Sequence, residues 1–217
     1  MIISTNRGIN RKFITTGIGN SNAASMCCAP NGNIYLGTQP TFSIYMQTGE
    51  SGAFNSLGQT GRTWYGMCAA PNGDVYAGVL NGSIYMQTNG TGNFVTLSQT
   101  SRVWRGMCAA PNGNIYACVD GGDIYMQTNG SGTFNALLQT PRNWTSMAAA
   151  PNGDIYAKTD GIGAGIYVRF EGIGNFLSLL GFTIYAGSAM CASPAGNVYY
   201  LGGAVVYKMT SPSPNYP

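Results

Sequence analysis

One segment, returned three times, gathers most of the side chains that could bind a ligand: Gln59-Thr60-Gly61-Arg62-Thr63-Trp64, Gln99-Thr100-Ser101-Arg102-Val103-Trp104 and Gln139-Thr140-Pro141-Arg142-Asn143-Trp144. An indole beside a guanidinium and amides can stack on the apolar face of a sugar while bonding its hydroxyls, and rigidly framed loops are where such sites sit. The same tryptophan can equally wedge between packed sheets, with the arginine bonding loop carbonyls, because internal duplication copies a packing residue without any ligand. The loops at Leu80-Asn81-Gly82, Asp120-Gly121-Gly122 and Thr159-Asp160-Gly161 are expected on the same rim. The ligand-contact set is therefore Arg62, Trp64 and Asn81 in one copy, Arg102, Trp104 and Asp120 in the next, and Arg142, Trp144 and Asp160 in the third. Ala23 and Gly187 stand where tryptophan would fall in the flanking copies, and Ser21 and Tyr185 where arginine would, so about three sites are expected rather than five.

Reaction chemistry is poorly represented. The chain has no histidine, which removes Ser-His-Asp and Cys-His catalysis and any histidine-bearing metal site. Of the carboxylates, Asp74 and Asp154 alternate with Asn33, Asn114 and Asn197 at one repeat position and read as hairpin residues. Asp120 with Asp123, or Asp160 alone, could serve in a lactonase-like or glycosidase enzyme, the latter needing carboxylates about 5–9 Å apart. Nothing else marks a reaction centre, so the expectation is a protein that is not an enzyme, with no catalytic residues and no cofactor. No metal is expected either: cysteine spacing offers only the adjacent pair Cys27-Cys28, not the Cys-x-x-Cys of a zinc site.

Charged residues make up 8% of the chain, against about 25% in ordinary soluble domains, and glycine, tyrosine and amides are abundant. A net charge of +3 is too small for a phosphate-neutralising stripe, which argues against a nucleic-acid partner. The amino-terminal residues lack the pattern of a secretory signal, and no run approaches the ~18 apolar residues of a membrane span. A soluble product of a cytoplasm, without membrane insertion, is expected. Four of the six cysteines, Cys27, Cys68, Cys108 and Cys191, recur at one repeat position where the remaining copy has Ala148, which marks a small buried residue rather than a disulfide framework.

These residues are set out by a repeat. Its leading methionines, Met26, Met67, Met107, Met147 and Met190, lie 41, 40, 40 and 43 residues apart, a period of arrays and propellers. Within one copy, Arg105 to Ala110, Asn114 to Val119, Asp123 to Thr128 and Thr133 to Gln139 read as four short antiparallel strands punctuated by Asn-Gly and Gly-Gly turns. Sizeable side chains on both strand faces fit small sheets packed on both sides, as blades are around an axis. Phe54, Phe94 and Phe134 each precede the next methionine by 13 residues, and so does Phe13. The chain thus opens with a lone fourth strand near residues 12–17 and ends on a copy with three, so its start can complete its last sheet and remove two exposed edges. The expectation is an all-β, five-bladed β-propeller, one domain over 1–217, with repeats at about 26–66, 67–106, 107–146, 147–189 and 190–209 plus 12–25.

The turn and strand Pro71-Asn72-Gly73-Asp74-Val75-Tyr76-Ala77, with copies at Pro30, Pro111 and Pro151, resembles the core motif of tachylectin-2, a family of five-bladed propeller lectins that bind N-acetylated sugars between blades. Together with Ile-Tyr-Met-Gln-Thr at Ile44, Ile84 and Ile124, it also looks like repeats of bacteriophage tail-associated proteins. The resemblance implies a non-enzymatic recognition or adhesion protein of a phage tail or virion, with a cell-surface glycan as partner and a homo-oligomer possible. The rival expectation is a structural virion or assembly protein docking to neighbouring subunits, with Met1 to Arg11 and Ser211 to Pro217 as its arms.

Overall fold

The structure, a computed structural model, describes residues 22–39, 42–161, 164–179, 189–202 and 205–210. Strands follow the repeat. The first unit holds β1 (Asn22–Cys28), β2 (Ile34–Gln39), β3 (Ile44–Gln47) and β4 (Asn55–Ser56). The second holds β5 (Trp64–Ala69), β6 (Val75–Gly82), β7 (Ile84–Gln87) and β8 (Val95–Thr96), and the third β9 (Arg102–Ala109), β10 (Ile115–Gly122), β11 (Ile124–Thr128) and β12 (Ser131–Ala136). The fourth holds β13 (Arg142–Ala149), β14 (Ile155–Thr159), β15 (Ile166–Arg169) and β16 (Leu177–Leu179), and the last β17 (Met190–Ala192), β18 (Val198–Gly202) and β19 (Val205–Met209). Each unit pairs its strands in sequence order and antiparallel, as in β9-β10-β11-β12.

The Pro-Asn-Gly turns explain the tight link from first to second strand. Asn72 Oδ1 accepts the Asp74 N–H at 3.1 Å while the Gly73 N–H donates to Ala70 O at 2.9 Å, an Asx turn closed over a glycine at φ 92°. Asp74 then clasps the next hairpin by accepting from Asn89 N–H, as Asp154 does from Glu171 N–H and Asn33 from Gly49 N–H. The hairpin role read from the Asp/Asn alternation is what these contacts show.

Packing occurs between units. Tyr35, Ile44 and Trp64 are buried with Val75 and Phe94 in one cluster, Tyr76, Ile84 and Trp104 with Ile115 and Phe134 in the next, and Tyr116, Ile124 and Trp144 with Ile155 and Phe176 in a third. The clusters repeat because each unit offers an apolar residue on both faces of its second strand. Burying an aromatic or aliphatic side chain of this size contributes about 1.5–3 kcal/mol, so the array is held by its interfaces more than by any one sheet. First strands stand side by side around a central cavity of about 460 Å³, whose lining draws on β1, β5, β9, β13 and the start of β17.

This is an all-β chain of antiparallel sheets with a propeller-like arrangement. Among the described residues the last unit has three strands and β19 has no partner on its outer edge, so the circle is not seen to close. The closing segment expected near residues 12–17 lies outside the described residues.

Candidate functional site

A bulge recurs where each first strand enters the sheet. Trp64 pairs with Val79 and Gly66 with Gly78, which leaves Tyr65 as the extra residue. Arg105 and Thr145 are extra in the same way, between Trp104 and Gly106 and between Trp144 and Ser146, and so is Ala24 in the first unit. Bulges re-aim a side chain, and they collect at rims and beside active sites. All four bulge residues line the central cavity. The fold therefore presents one variable position per unit to the same space, and the chain fills it with alanine, tyrosine, arginine and threonine.

Arg105 has the chemistry. Its guanidinium lies over the Tyr65 ring, 5.0 Å from the centroid, and pairs with Asp120 across β9 and β10. Both contacts fall on the same oxygen, Nη2 to Oδ2 at 3.1 Å and Nε to Oδ2 at 3.2 Å. With side-chain exposures of 29% and 27%, the pair is partly in water, and its net contribution to stability is modest.

A second pair stands one unit away. Lys158 on β14 has no exposed side-chain surface and contacts Asp160, whose side chain is 32% exposed. Between the two aspartate backbones lies Asn143. Asp120 is its partner across the β10–β13 pairing, and the Asp160 N–H donates to its carbonyl at 2.9 Å. Two strand spacings, about 10 Å, thus separate the two aspartate backbones. The Asn143 amide sits between the flanking glycines, with Oδ1 towards Gly121 and Nδ2 towards Gly161, where an added Cβ would meet Nδ2 at 3.4 Å.

Of the residues expected from sequence, Asp120 and Asp160 stand on either side of Asn143. The tryptophans are placed differently from a sugar platform. Trp64, Trp104 and Trp144 are 1% exposed, and each meets a tyrosine edge-on at 5.3, 5.2 and 5.1 Å between centroids. Trp64 and Trp104 donate their indole N–H to Phe42 O and Gly82 O. Of the two roles left open for these rings, the wedge between sheets is the one they occupy, since no face is left for a ligand. Arg62, Arg102 and Arg142 lie over the Tyr85, Tyr125 and Tyr167 rings at 4.8, 4.8 and 4.7 Å, packed as rim struts. Asn81 is exposed near the end of β6, at φ 54°, and makes no contact with the Arg105–Asp120 pair. Asp123, the expected partner of Asp120, is spent on its own loop: Oδ1 accepts from Ile124 N–H at 2.7 Å and Gln139 N–H at 2.9 Å.

Arg105 and Lys158 went unread in the sequence. Both are departures from the repeat: Arg105 stands where Tyr65 and Thr145 do, and Lys158 where Gly37, Gly78 and Cys118 do. Cys118, beside the Arg105–Asp120 pair, has its thiol pushed up to about 12 by burial, which makes it a packing residue rather than a nucleophile. Among the described residues no group of three or more His, Cys, Asp or Glu side chains gathers that could hold a metal ion.

No protein-family model matches the sequence, and no curated protein matches it. Solved structures do match in shape. A gluconolactonase from Xanthomonas campestris superposes with a TM-score of 0.70 at 9% identity, over 88% of this chain and 73% of that one. A virginiamycin B lyase from Staphylococcus aureus, solved as an inactive H270A form with quinupristin, gives 0.65 at 13%, over 90% and 72%. YCF48 bound to a D1 peptide gives 0.62 at 13%, over 87% and 64%. These likenesses support a β-propeller fold. They also overturn the expectation of a non-enzymatic phage-tail adhesin, and of its structural virion rival, because the similar folds include a lactonase and a lyase. The expectation that the chain is not an enzyme is corrected with them.

Proposed function

We propose that the chain is an enzyme that hydrolyses a lactone at the mouth of the central cavity, with Asp120 as general base. The observation that carries this reading is the bulge that turns Arg105 into the cavity while holding Asp120 Oδ2, so that the other carboxylate oxygen is left to a water. In the reaction the carboxylate takes a proton from that water as its oxygen bonds to the lactone carbonyl carbon. Charge that develops on the carbonyl oxygen is met by the remaining guanidinium N–H groups of Arg105 and by the Asn143 amide. The ring C–O bond then breaks, and the leaving oxygen recovers the proton from Asp120 to give a hydroxy acid. Asp160, held by Lys158, lies on the far side of Asn143 and adds a second carboxylate beside that amide.

Glycoside hydrolysis fits less well. That chemistry needs one carboxyl that donates a proton to the leaving oxygen, whereas both carboxylates here already accept from cations. An ester needs only an accepting carboxylate and donors for its carbonyl. The kinship in shape with a gluconolactonase supports the same choice.

Acid release from γ-butyrolactone and δ-gluconolactone, followed in a pH-stat, tests this. Asp120→Asn should lower the rate at least 100-fold, the low end of a general base's contribution of about 10²–10⁴. No turnover of either lactone, or an unchanged rate in Asp120→Asn, rejects it.

The finer architecture belongs here as well. The repeat supports five blades, with residues 12–17 lying along β19 as the missing outer strand. Deleting residues 1–17 should then destabilise the whole chain cooperatively, whereas an unaltered urea midpoint would place the closure elsewhere.

A further inference from the structure

The cavity that Arg105 edges has two unlike walls. On one side the polar residues Tyr65, Arg105, Thr145 and Ser146 from the second, third and fourth units stand among Met67, Met107 and Met147. The opposite side, from the first and last units, is Ala23, Ala24, Met26, Leu36, Ala189 and Met190. The one hydroxyl among the first unit's lining residues, Ser25, is turned to Trp64 O at 3.3 Å. The contrast is sharpest at the repeat's leading methionine: Met67, Met107 and Met147 are 4–6% exposed, but Met26 is 63% exposed. A position that is core in three units is open apolar surface in this one.

Resting on the lactonase reading above, we infer that the substrate is a lactone carrying an alkyl substituent, with the ring at Arg105 and Asp120 and the chain laid along Met26 and Leu36. A volume of about 460 Å³ falls within the range of small-molecule pockets, roughly 300–1,000 Å³, so ring and chain fit together. Polar groups at one end fix the ring, and the apolar wall gains affinity from each methylene it removes from water. A sugar lactone, with hydroxyls around its ring, would leave this wall unmatched and its own hydroxyls unpaired against it. Thioethers suit such a wall because a methionine adapts its three torsions to chains of different length.

The test compares γ-butyrolactone, γ-hexalactone and γ-octalactone on the full-length protein. kcat/KM should rise by up to about fourfold for each buried methylene, giving at least tenfold from the shortest to the longest. Met26→Asn, a change at an exposed position, should cut the ratio of octalactone to butyrolactone severalfold, and Leu36→Asn should do the same. Turnover that is flat along the series, or a ratio unmoved in Met26→Asn, overturns this inference while the lactonase reading stands. If no lactone is turned over, that reading falls, and calorimetry with 2-alkyl-tetrahydrofurans still probes the wall. Affinity that rises with chain length then keeps the alkyl subsite, and affinity independent of length removes it.

Discussion

Lys158 is wholly buried against Asp160, at a strand position that Gly37, Gly78 and Cys118 hold in the preceding units. A charge placed where its equivalents are small or apolar is costly, because burial strips water from the ammonium without returning hydrophobic gain. Such a residue stays for what it positions. The backbone of Asp160 is bonded to the same Asn143 that Asp120 is paired with across the strands, so the two ion pairs stand on either side of one residue in a chain of which only 8% is charged.

Asp160→Asn should separate stability from chemistry. Breaking a fully buried pair costs about 3–5 kcal/mol; with Asp160 32% exposed, solvent screening lowers this to about 1–3 kcal/mol. Urea denaturation reads that loss. Lys158→Met/Asp160→Asn should recover most of it while lactone turnover stays impaired, and a double variant with full activity would remove the pair from the site.

Trp104→Ala should destabilise the chain by about 3–5 kcal/mol, the cost of an emptied aromatic site. The ring is 1% exposed and meets Tyr125 and Phe134 at 5.2 and 6.4 Å between centroids. The companion measurement is fluorescence: with all three indoles buried, iodide should quench the native protein poorly and the urea-unfolded chain well. Strong native quenching would mean that the rings face solvent.

Most of the architecture was legible in the sequence because the repeat states it five times. The strand expected over Arg105 to Ala110 overlaps β9, which starts three residues earlier at Arg102, and the one expected over Asp123 to Thr128 closely matches β11. The candidate site was half legible. Averaging over copies draws the eye to what is shared, such as the Arg-x-Trp rim, and what is shared here is packing. Chemistry sits in the residues that differ, Arg105 and Lys158, and a bulge that singles out one position per unit cannot be read from alternation alone. Function was misread for a related reason: hairpin motifs with Asn-Gly turns specify a scaffold, and a scaffold is shared by lectins and enzymes alike.

Gly106→Ala should be more damaging than Gly92→Ala. A Cβ at Gly106 would lie 2.8 Å from Ser146 Cα and 3.0 Å from Met147 N, both backbone of the neighbouring strand, so β9 and β13 would have to part. Such overpacking costs about 1–3 kcal/mol, and it shifts Arg105, one residue away, so turnover should fall as well. Gly92 has φ 73° but nothing within 4 Å of an added Cβ, and its replacement should cost only the strain of a left-handed alanine, about 1 kcal/mol. Thermal melts of the two variants side by side check the order, and equal losses would contradict the close approach of the two strands.

Alkali should weaken the fold. Burial raises Cys27 and Cys118 from 9.0 to about 12, and it raises Tyr156 from 10.0 to about 12 with the Asp154 carboxylate adding to it. Each group keeps its proton longer when folded than when unfolded. Between pH 9 and 12 the unfolded chain therefore binds fewer protons than the native one, and the slope of stability against pH is negative. The contribution of these groups is complete below about pH 9 and is lost as pH climbs towards 12. At neutral pH the same burial should limit labelling: a disulfide reagent should react quickly with the exposed Cys28 and Cys191, and with Cys68, Cys108 and Cys118 only on unfolding. Urea midpoints at pH 8, 10 and 11, with thiol counts at pH 7.5, test both halves. A midpoint that rises with pH, or rapid labelling of more than three thiols in the native protein, would mean that the first strands are not packed around the axis as described.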